Sequence, residues 1–266
     1  MSREQERFRQ RYGPWAVVAG ASEGLGAAWA EHLAARGLNI ALIARRQAML
    51  DELAARLAQQ HGVETRSLAL DLSDPSTPDA ALAATADLDI GMLVYNAARS
   101  VIGPFLERPL DDHLTEIAVN VRAPLTLSYA FGQRFVQRGR GGIILLSSLS
   151  ATMGSAYIAD YAATKAYNLV LAEGLWDELR GKGVDVLACC PGAVSTPNYV
   201  ASAPKRSQAT TTPDLVVGQT LQQLGHRPSF IPGRSNQVAA FFLRRLVPRR
   251  MIVRIMGNVT RGMYAK

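Results

Sequence analysis

Tyr161 and Lys165 stand four apart in a stretch, Ala156–Arg180, whose pattern reads as a long helix, so both side chains share one face and can meet the same ligand. A free tyrosine has a pKa of about 10, too high for a base near neutrality. A neighbouring ammonium favours the phenolate, so the pair can give or take a proton at a reacting oxygen. A tyrosine four residues before a lysine also arises on any helix by chance, and only its context gives it meaning. A second chemical feature lies near the start, in Gly20-Ala21-Ser22-Glu23-Gly24-Leu25-Gly26. Its glycines permit a tight turn and close approach of the backbone to a pyrophosphate, with a helix N-terminus facing the anion.

The elements that must hold these groups alternate. Short apolar runs of strand length, Trp15–Gly20, Leu38–Ala44, Val63–Leu70, Ile90–Tyr95, Gly142–Ser147, Val184–Cys190 and Ser229–Pro232, are separated by stretches of helical period. The helices predicted between them are Gly24–Arg36, Gln47–Gln60, Pro75–Ala86, Asp111–Arg138 and Ala156–Arg180. This order is that of successive βαβ units with parallel strands. Gly37, Gly62, Gly141 and Gly183 fall between helix and strand, where a left-handed cap suits glycine. Ala203–Pro213 is polar and rich in Ser, Thr and Pro, a candidate mobile loop or lid beyond the carboxyl edge of the sheet.

With 266 residues and 48% hydrophobic content, the chain can bury one substantial core. Its formal charge is +7, but residues 244–266 hold six Arg and one Lys without an acid, so the body is neutral. That balance argues against a nucleic-acid surface spread over the fold. Adjacent Cys189 and Cys190 suit neither a disulfide framework nor a zinc pair, and they suggest a reduced, cytoplasmic protein. The polar start and the lack of a long apolar run agree. His32, His61, His113 and His226 are scattered without ligand spacing, so no metal is expected.

The glycine turn, spaced Gly-x-x-x-Gly-x-Gly, resembles that of the short-chain dehydrogenase/reductase family, and the family's other elements follow in order over roughly residues 14–235. Asp71-Leu72 resembles the pair that contacts adenine. Tyr95-Asn96-Ala97-Ala98 is similar to the Asn-Asn-Ala-Gly element, and Pro191-Gly192-Ala193-Val194-Ser195-Thr196 to the nicotinamide-side segment. Trp15-Ala16-Val17-Val18, Ser22-Glu23-Gly24 and Leu42-Ile43-Ala44-Arg45 most resemble the hydroxysteroid dehydrogenase and 3-ketoacyl-CoA reductase branch. The resemblance implies an α/β fold, a Rossmann-like doubly wound parallel sheet of about seven strands in a single domain over residues 14–243. A polar segment, 1–13, precedes it and a basic amphipathic tail, 244–266, follows. Three departures stand out: Ala19 where Thr is common, Tyr95 for the first Asn, and Ala98 for Gly. Alanine where φ must be positive would cost about a kcal/mol, so Ala98 suggests a different loop beside the ribose.

The resemblance implies an oxidoreductase interconverting a ketone and a secondary alcohol, with Tyr161 as general acid/base and Lys165 beside it. Ser148, thirteen residues before Tyr161, takes the place of the hydroxyl that orients the substrate oxygen, in preference to Ser147 and Ser150. Asn120 resembles the asparagine that completes a proton relay through water to the lysine. The cofactor set is Gly20, Ser22, Glu23, Gly24, Leu25, Gly26, Arg45, Arg46, Asp71, Leu72, Asn96, Ala97, Tyr161, Lys165, Pro191, Gly192, Val194 and Thr196. NADP(H) is expected over NAD because Ala44 stands where a carboxylate would bind the ribose hydroxyls, and Arg45 and Arg46 offer forks for a 2′-phosphate. Glu23, near the same pocket, would weaken that preference. Tyr157, Met153 and Tyr199 are candidate pocket walls. In the tail, Ile252, Ile255, Met256, Val259 and Met263 recur at helical spacing beside Arg250 and Arg254, a stripe for docking on the body, a second subunit or a membrane interface. A homodimer or homotetramer and a hydrophobic steroid-, lipid- or ketoacyl-like substrate follow from the resemblance. A 3-ketoacyl thioester reductase is the enzymic alternative. A dinucleotide-binding sensor without turnover is the other, disfavoured because Asn120, Ser148, Tyr161 and Lys165 occur together.

Overall fold

Val17 and Val18 point to opposite faces of the strand Trp15–Ala19, and both are fully buried, so this strand is covered on both sides. The same double burial recurs along β1 (Trp15–Ala19), β2 (Asn39–Ala44), β4 (Ile90–Tyr95), β5 (Gly141–Leu146) and β6 (Val184–Cys189). With β3 (Thr65–Ala69) and β7 (Ser229–Phe230) they make one seven-stranded sheet of order β3-β2-β1-β4-β5-β6-β7, parallel at every pairing. The computed structural model describes residues 2–201 and 210–264.

Helices cover the two faces. One face carries α1 (Arg3–Tyr12), α2 (Gly24–Ala34), α3 (Gln47–His61) and, further along the chain, a helix at Pro213–Leu221; Trp29, Leu33, Leu50, Leu57 and Val217 fill the core there. The other carries α4 (Thr77–Ala84), α6 (Ala123–Arg138) and α7 (Ala159–Arg180), through Ala81, Leu127, Phe131, Phe135 and Ala172. This is the doubly wound arrangement expected, and its strand order reverses between β1 and β4, where open α/β sheets bind ligands. The helix at Pro213–Leu221 is α9, and the remaining helices are α5 (Leu110–Ile117), α8 (Pro197–Ala201), α10 (Arg234–Leu246) and α11 (Arg249–Tyr264).

Several local readings change. The single helix expected over Asp111–Arg138 is α5 and α6 joined by one π turn, Ala118–Arg122, which carries the buried Asn120. Gly37, Gly62 and Gly183 have positive φ, but Gly139, not Gly141, caps α6. Gly141 begins β5, and its lack of a side chain serves packing: a Cβ there would meet the Phe135 ring at 2.6 Å. Ala98 is not a strained position, because Tyr157 is the one non-glycine residue with positive φ among those described. Segment 1–13 holds a helix with a capping box, in which Ser2 Oγ accepts from the Gln5 amide and Gln5 Oε1 from the Ser2 amide. Arg11 Nε and Tyr12 Oη donate to Asp185 at 2.5 and 2.6 Å and tie α1 to β6. Most of the Ala203–Pro213 loop, residues 203–209, lies outside the described residues; past it, Thr211 bridges to Val194 and Thr212 caps α9. No helix among the described residues is long and apolar enough to cross a membrane.

Candidate active site

A cleft of about 910 Å³ opens along the carboxyl ends of the strands. Every catalytic and cofactor-binding residue expected from the sequence lines it except Gly26 and Asn120.

The glycine turn forms one end. Gly20 has φ +82°, and a Cβ on it would stand 2.6 Å from Ala97 Cα. Gly24 has φ +58° and packs beneath Thr196, while a Cβ on Gly26 would lie 1.9 Å from the Gly20 carbonyl. No side chain larger than hydrogen fits between turn and helix. Asn96 Nδ2 donates to that carbonyl at 2.9 Å and locks the turn to β4. No side chain caps the start of α2, so its first amides face the cleft. The pocket therefore fits a dinucleotide pyrophosphate.

Around the ribose end, Arg46 donates to Glu23 at 2.6 Å and to Ser22 Oγ at 3.0 Å. The Glu23 charge expected to oppose a phosphate is thus met by Arg46. Arg45 is exposed on the cleft wall and close enough to Asp71 to help hold that carboxyl low. The larger cause of the low Asp71 value is the Ser73 amide, which donates to Oδ1 at 2.9 Å, followed by the Ser73 hydroxyl at 2.8 Å.

At the other end, β5 and α7 bring three groups together. Ser148 follows β5, with its hydroxyl accepting from the Ser150 amide at 3.2 Å, and it stands close enough to Tyr161 to pull the phenol's pKa down. Ser147 turns the other way and donates to the Lys165 carbonyl at 2.7 Å, a structural bolt. Lys165 Nζ donates to the Leu146 carbonyl at 2.7 Å and lies 5.7 Å from the centroid of the Tyr161 ring. Burial pushes Lys165 down to about 8, opposed by Glu116 and the two cysteines. Burial also pushes Tyr161 up to about 12; Ser148 pulls it back, and Glu116 and Tyr264 push it further up. The lysine therefore does not make Tyr161 a phenolate in the protein itself. The group stands as a phenol, ready to donate.

Asn120 is occupied elsewhere. Its Nδ2 donates to the Arg99 carbonyl at 2.8 Å and to Thr164 Oγ1 at 3.0 Å, and its Oδ1 accepts from the Arg99 amide at 2.9 Å. Its own carbonyl accepts from Asn168 Nδ2 at 3.0 Å. Its side chain clamps the loop after β4 to α7.

Beyond Tyr161 the cleft wall is apolar: Ile102, Val119, Leu149 and Ile158 on one side, Met256, Val259, Met263 and Tyr264 of α11 on the other. Helix α11 docks on the body by Thr260, whose hydroxyl bonds Ser155 Oγ at 3.0 Å and donates to the Ala156 carbonyl at 2.8 Å. Its stripe divides: Ile252 and Met263 are buried, whereas Ile255 faces out. Of the three walls expected, Tyr199 lines the cleft; Met153 is buried, and Tyr157 lies outside the lining with φ 67°. The sequence reading missed the α11 wall as part of the site, as well as Glu116 and the burial of His113. Glu116 sits one turn before Asn120 on the same helical stretch, a spacing from which its inward position could have been read.

Comparison with known proteins gives a consistent result. The profile of the short chain dehydrogenase family matches residues 14–207. A 7beta-hydroxysteroid dehydrogenase of Clostridium sardiniense is 34% identical over 233 residues, covering 86% of this chain and 89% of that one. A solved structure of a 7beta-hydroxysteroid dehydrogenase superposes with TM-score 0.90 at 31% identity, covering 94% of this chain and 98% of that one. A short-chain dehydrogenase from Sphingobium yanoikuyae, solved in complex with NADPH, superposes with TM-score 0.78 at 30% identity, covering 88% and 94%.

Proposed function

As a member of the short-chain dehydrogenase family this chain is an oxidoreductase, and we propose that it interconverts a bulky, apolar ketone and its secondary alcohol with NADP(H) as cofactor. The observation that carries the reading is the convergence of Ser148, Tyr161 and Lys165 at the base of a cleft whose outer wall is apolar. The glycine turn, the uncapped start of α2, Asn96 and the segment Pro191–Thr196 are the residues that would hold the dinucleotide; Arg45, beside Arg46, would take its 2′-phosphate. When bound, the nicotinamide supplies or accepts the hydride.

The chain's own part is proton transfer and orientation. In reduction the Tyr161 phenol gives its proton to the carbonyl oxygen as negative charge grows there, and Ser148 donates a hydrogen bond to the same oxygen. Lys165, anchored on the Leu146 carbonyl, keeps positive charge beside the phenol, and Asn120 holds the loop and helix on which these groups stand. In oxidation Tyr161 must first lose its proton, and its burial makes that the step that alkaline pH favours.

The apolar wall and the similarity to 7beta-hydroxysteroid dehydrogenases support a rigid, sterol-like substrate. Exposed Phe241, Phe242, Leu246, Met251 and Val253 on α10 and α11, interspersed with arginines, support a homo-oligomer or a peripheral membrane contact through this arm. Gel filtration and sedimentation with anionic vesicles separate the two. The deciding experiment for the chemistry is Tyr161→Phe assayed by NADPH absorbance against a panel of sterol ketones, small ketones and 3-oxoacyl thioesters. Turnover falls by roughly a hundredfold or more while NADPH still binds; undiminished turnover refutes the assignment.

A further inference from the structure

Glu116 is a fully buried carboxyl outside the cleft lining, one helical turn before Asn120. Its Oε2 accepts from the Val101 amide at 2.8 Å, and its Oε1 is buried with no hydrogen-bond partner among the described residues. An unpaired carboxyl oxygen inside a protein is costly, so some compensating role is expected of it. One oxygen of Glu116, one of Asp160 and one nitrogen of His113 lie within 4.8 Å of one another, and Asp160 immediately precedes Tyr161 on α7. The His113 ring is held at both ends. Its Nε2 lies 3.2 Å from the Phe105 carbonyl and its Nδ1 3.1 Å from Asp160 Oδ2. The cluster thus puts a buried carboxyl, with an adjoining hydrogen-bonded pair, against the residue that immediately precedes the reactive phenol on α7.

We propose that Glu116 is a positioning residue that sets the charge around Tyr161 and Lys165, holding the phenol in its donor form and the lysine as ammonium. The inference rests on the proposed role of Tyr161. The charged and titratable groups facing Glu116 are Asp160, His113 and Arg99 on one side and Tyr161 and Lys165 on the other. Burial brings Glu116 up to about 7, opposed by the Val101 amide, so the carboxyl gains its charge close to neutrality. Once ionised it opposes proton loss from both Tyr161 and Lys165, alongside Tyr264 acting on Tyr161 and the two cysteines on Lys165. Alcohol oxidation, which needs the phenolate, is thereby delayed to higher pH, whereas ketone reduction, which needs the phenol, is protected.

The test is the pH profile of kcat/KM for alcohol oxidation at saturating NADP+, measured on the full chain and on Glu116→Gln, which keeps an acceptor for Val101 but carries no charge. The ascending limb moves to lower pH, with an unchanged alkaline plateau and unchanged NADPH affinity; each pH unit of displacement is tenfold in rate on the limb. A limb that stays in place overturns the proposal. Should the Gln variant fail to fold, Glu116→Met gives the same comparison, and the ultraviolet phenolate titration of wild type against Tyr161→Phe locates the phenol directly. A wild-type limb displaced by chelator also overturns it, since the cluster would then be a metal site. If Tyr161→Phe retains turnover, the reading of Tyr161 itself has failed; if that variant is inactive while Glu116→Gln leaves the limb unmoved, only this inference has.

Discussion

Lys165 keeps a charge in a place that folding alone would not choose, and Lys165→Met makes the cost measurable. Its ammonium is 2% exposed, and burial brings its pKa to about 8 from 10.5. Because the folded value is the lower one, the unfolded chain binds more protons between about 8 and 10.5, and stability rises with pH across that window. Below about 8 both states carry the charge and the whole penalty is present; above 10.5 neither does and it is gone. At about 1.4 kcal/mol per pH unit the penalty is on the order of 3 kcal/mol. Methionine fills similar volume without charge but leaves the Leu146 carbonyl without its 2.7 Å donor, at a cost of about 1–3 kcal/mol. That loss is the same at both ends of the window, so the pH-dependent part isolates the charge. Urea unfolding of both proteins over this range is the assay. The variant gains on wild type by roughly 3 kcal/mol more at the acidic end than at the alkaline end, which corresponds to roughly 6–12 °C in Tm. A difference between the proteins that does not vary with pH would refute the claim that burial governs this lysine.

Other outcomes follow from the same geometry. Arg45→Ala weakens NADPH by about 1.5–3 kcal/mol, the value of a charge-assisted hydrogen bond, and leaves NADH nearly unchanged, which fluorescence titration with the two nucleotides checks; equal losses would place the phosphate elsewhere. Thr260→Val removes the bonds that seat α11 on Ser155 and Ala156 and costs about 1–2 kcal/mol. Its KM for bulky ketones rises while kcat for a small ketone holds, and a uniform loss of both would show that α11 does not shape the pocket. Ketone reduction persists as pH falls below neutrality because Tyr161, pushed up to about 12, keeps its proton there, whereas alcohol oxidation climbs as pH rises; a reduction rate that collapses on mild acidification would contradict the donor role.

Where local physics and the fold agreed, the sequence was readable. Double-sided burial of Val17 and Val18 made the strand an unbroken apolar run, and the Gly20–Gly26 turn admits no other residue type at Gly26. Ser148 was separated from Ser147 by family spacing, and the structure adds the reason, since Ser147 is spent on the Lys165 carbonyl. What escaped was set by distant parts of the chain. The wall face of α11 carries an apolar stripe whose partner lies about a hundred residues upstream, as the Ser155–Thr260 bond shows. The π turn at Asn120 leaves no mark on composition, and the Asn120 side chain it carries is bonded to Arg99 and Thr164, far from it in the chain. Glu116 carries no sequence mark that sets it apart from the nearby acids Asp111 and Asp112, and burial pushes Tyr161 up where a depression was expected.

The docking of α11 has a consequence for how the site comes into being during synthesis. The residues of the cradle and the proton donor have all left the ribosome once Thr196 has, but Met256, Val259 and Met263 emerge far later. One of the two apolar walls is therefore added last, to a site whose nucleotide and proton-transfer residues are already synthesised.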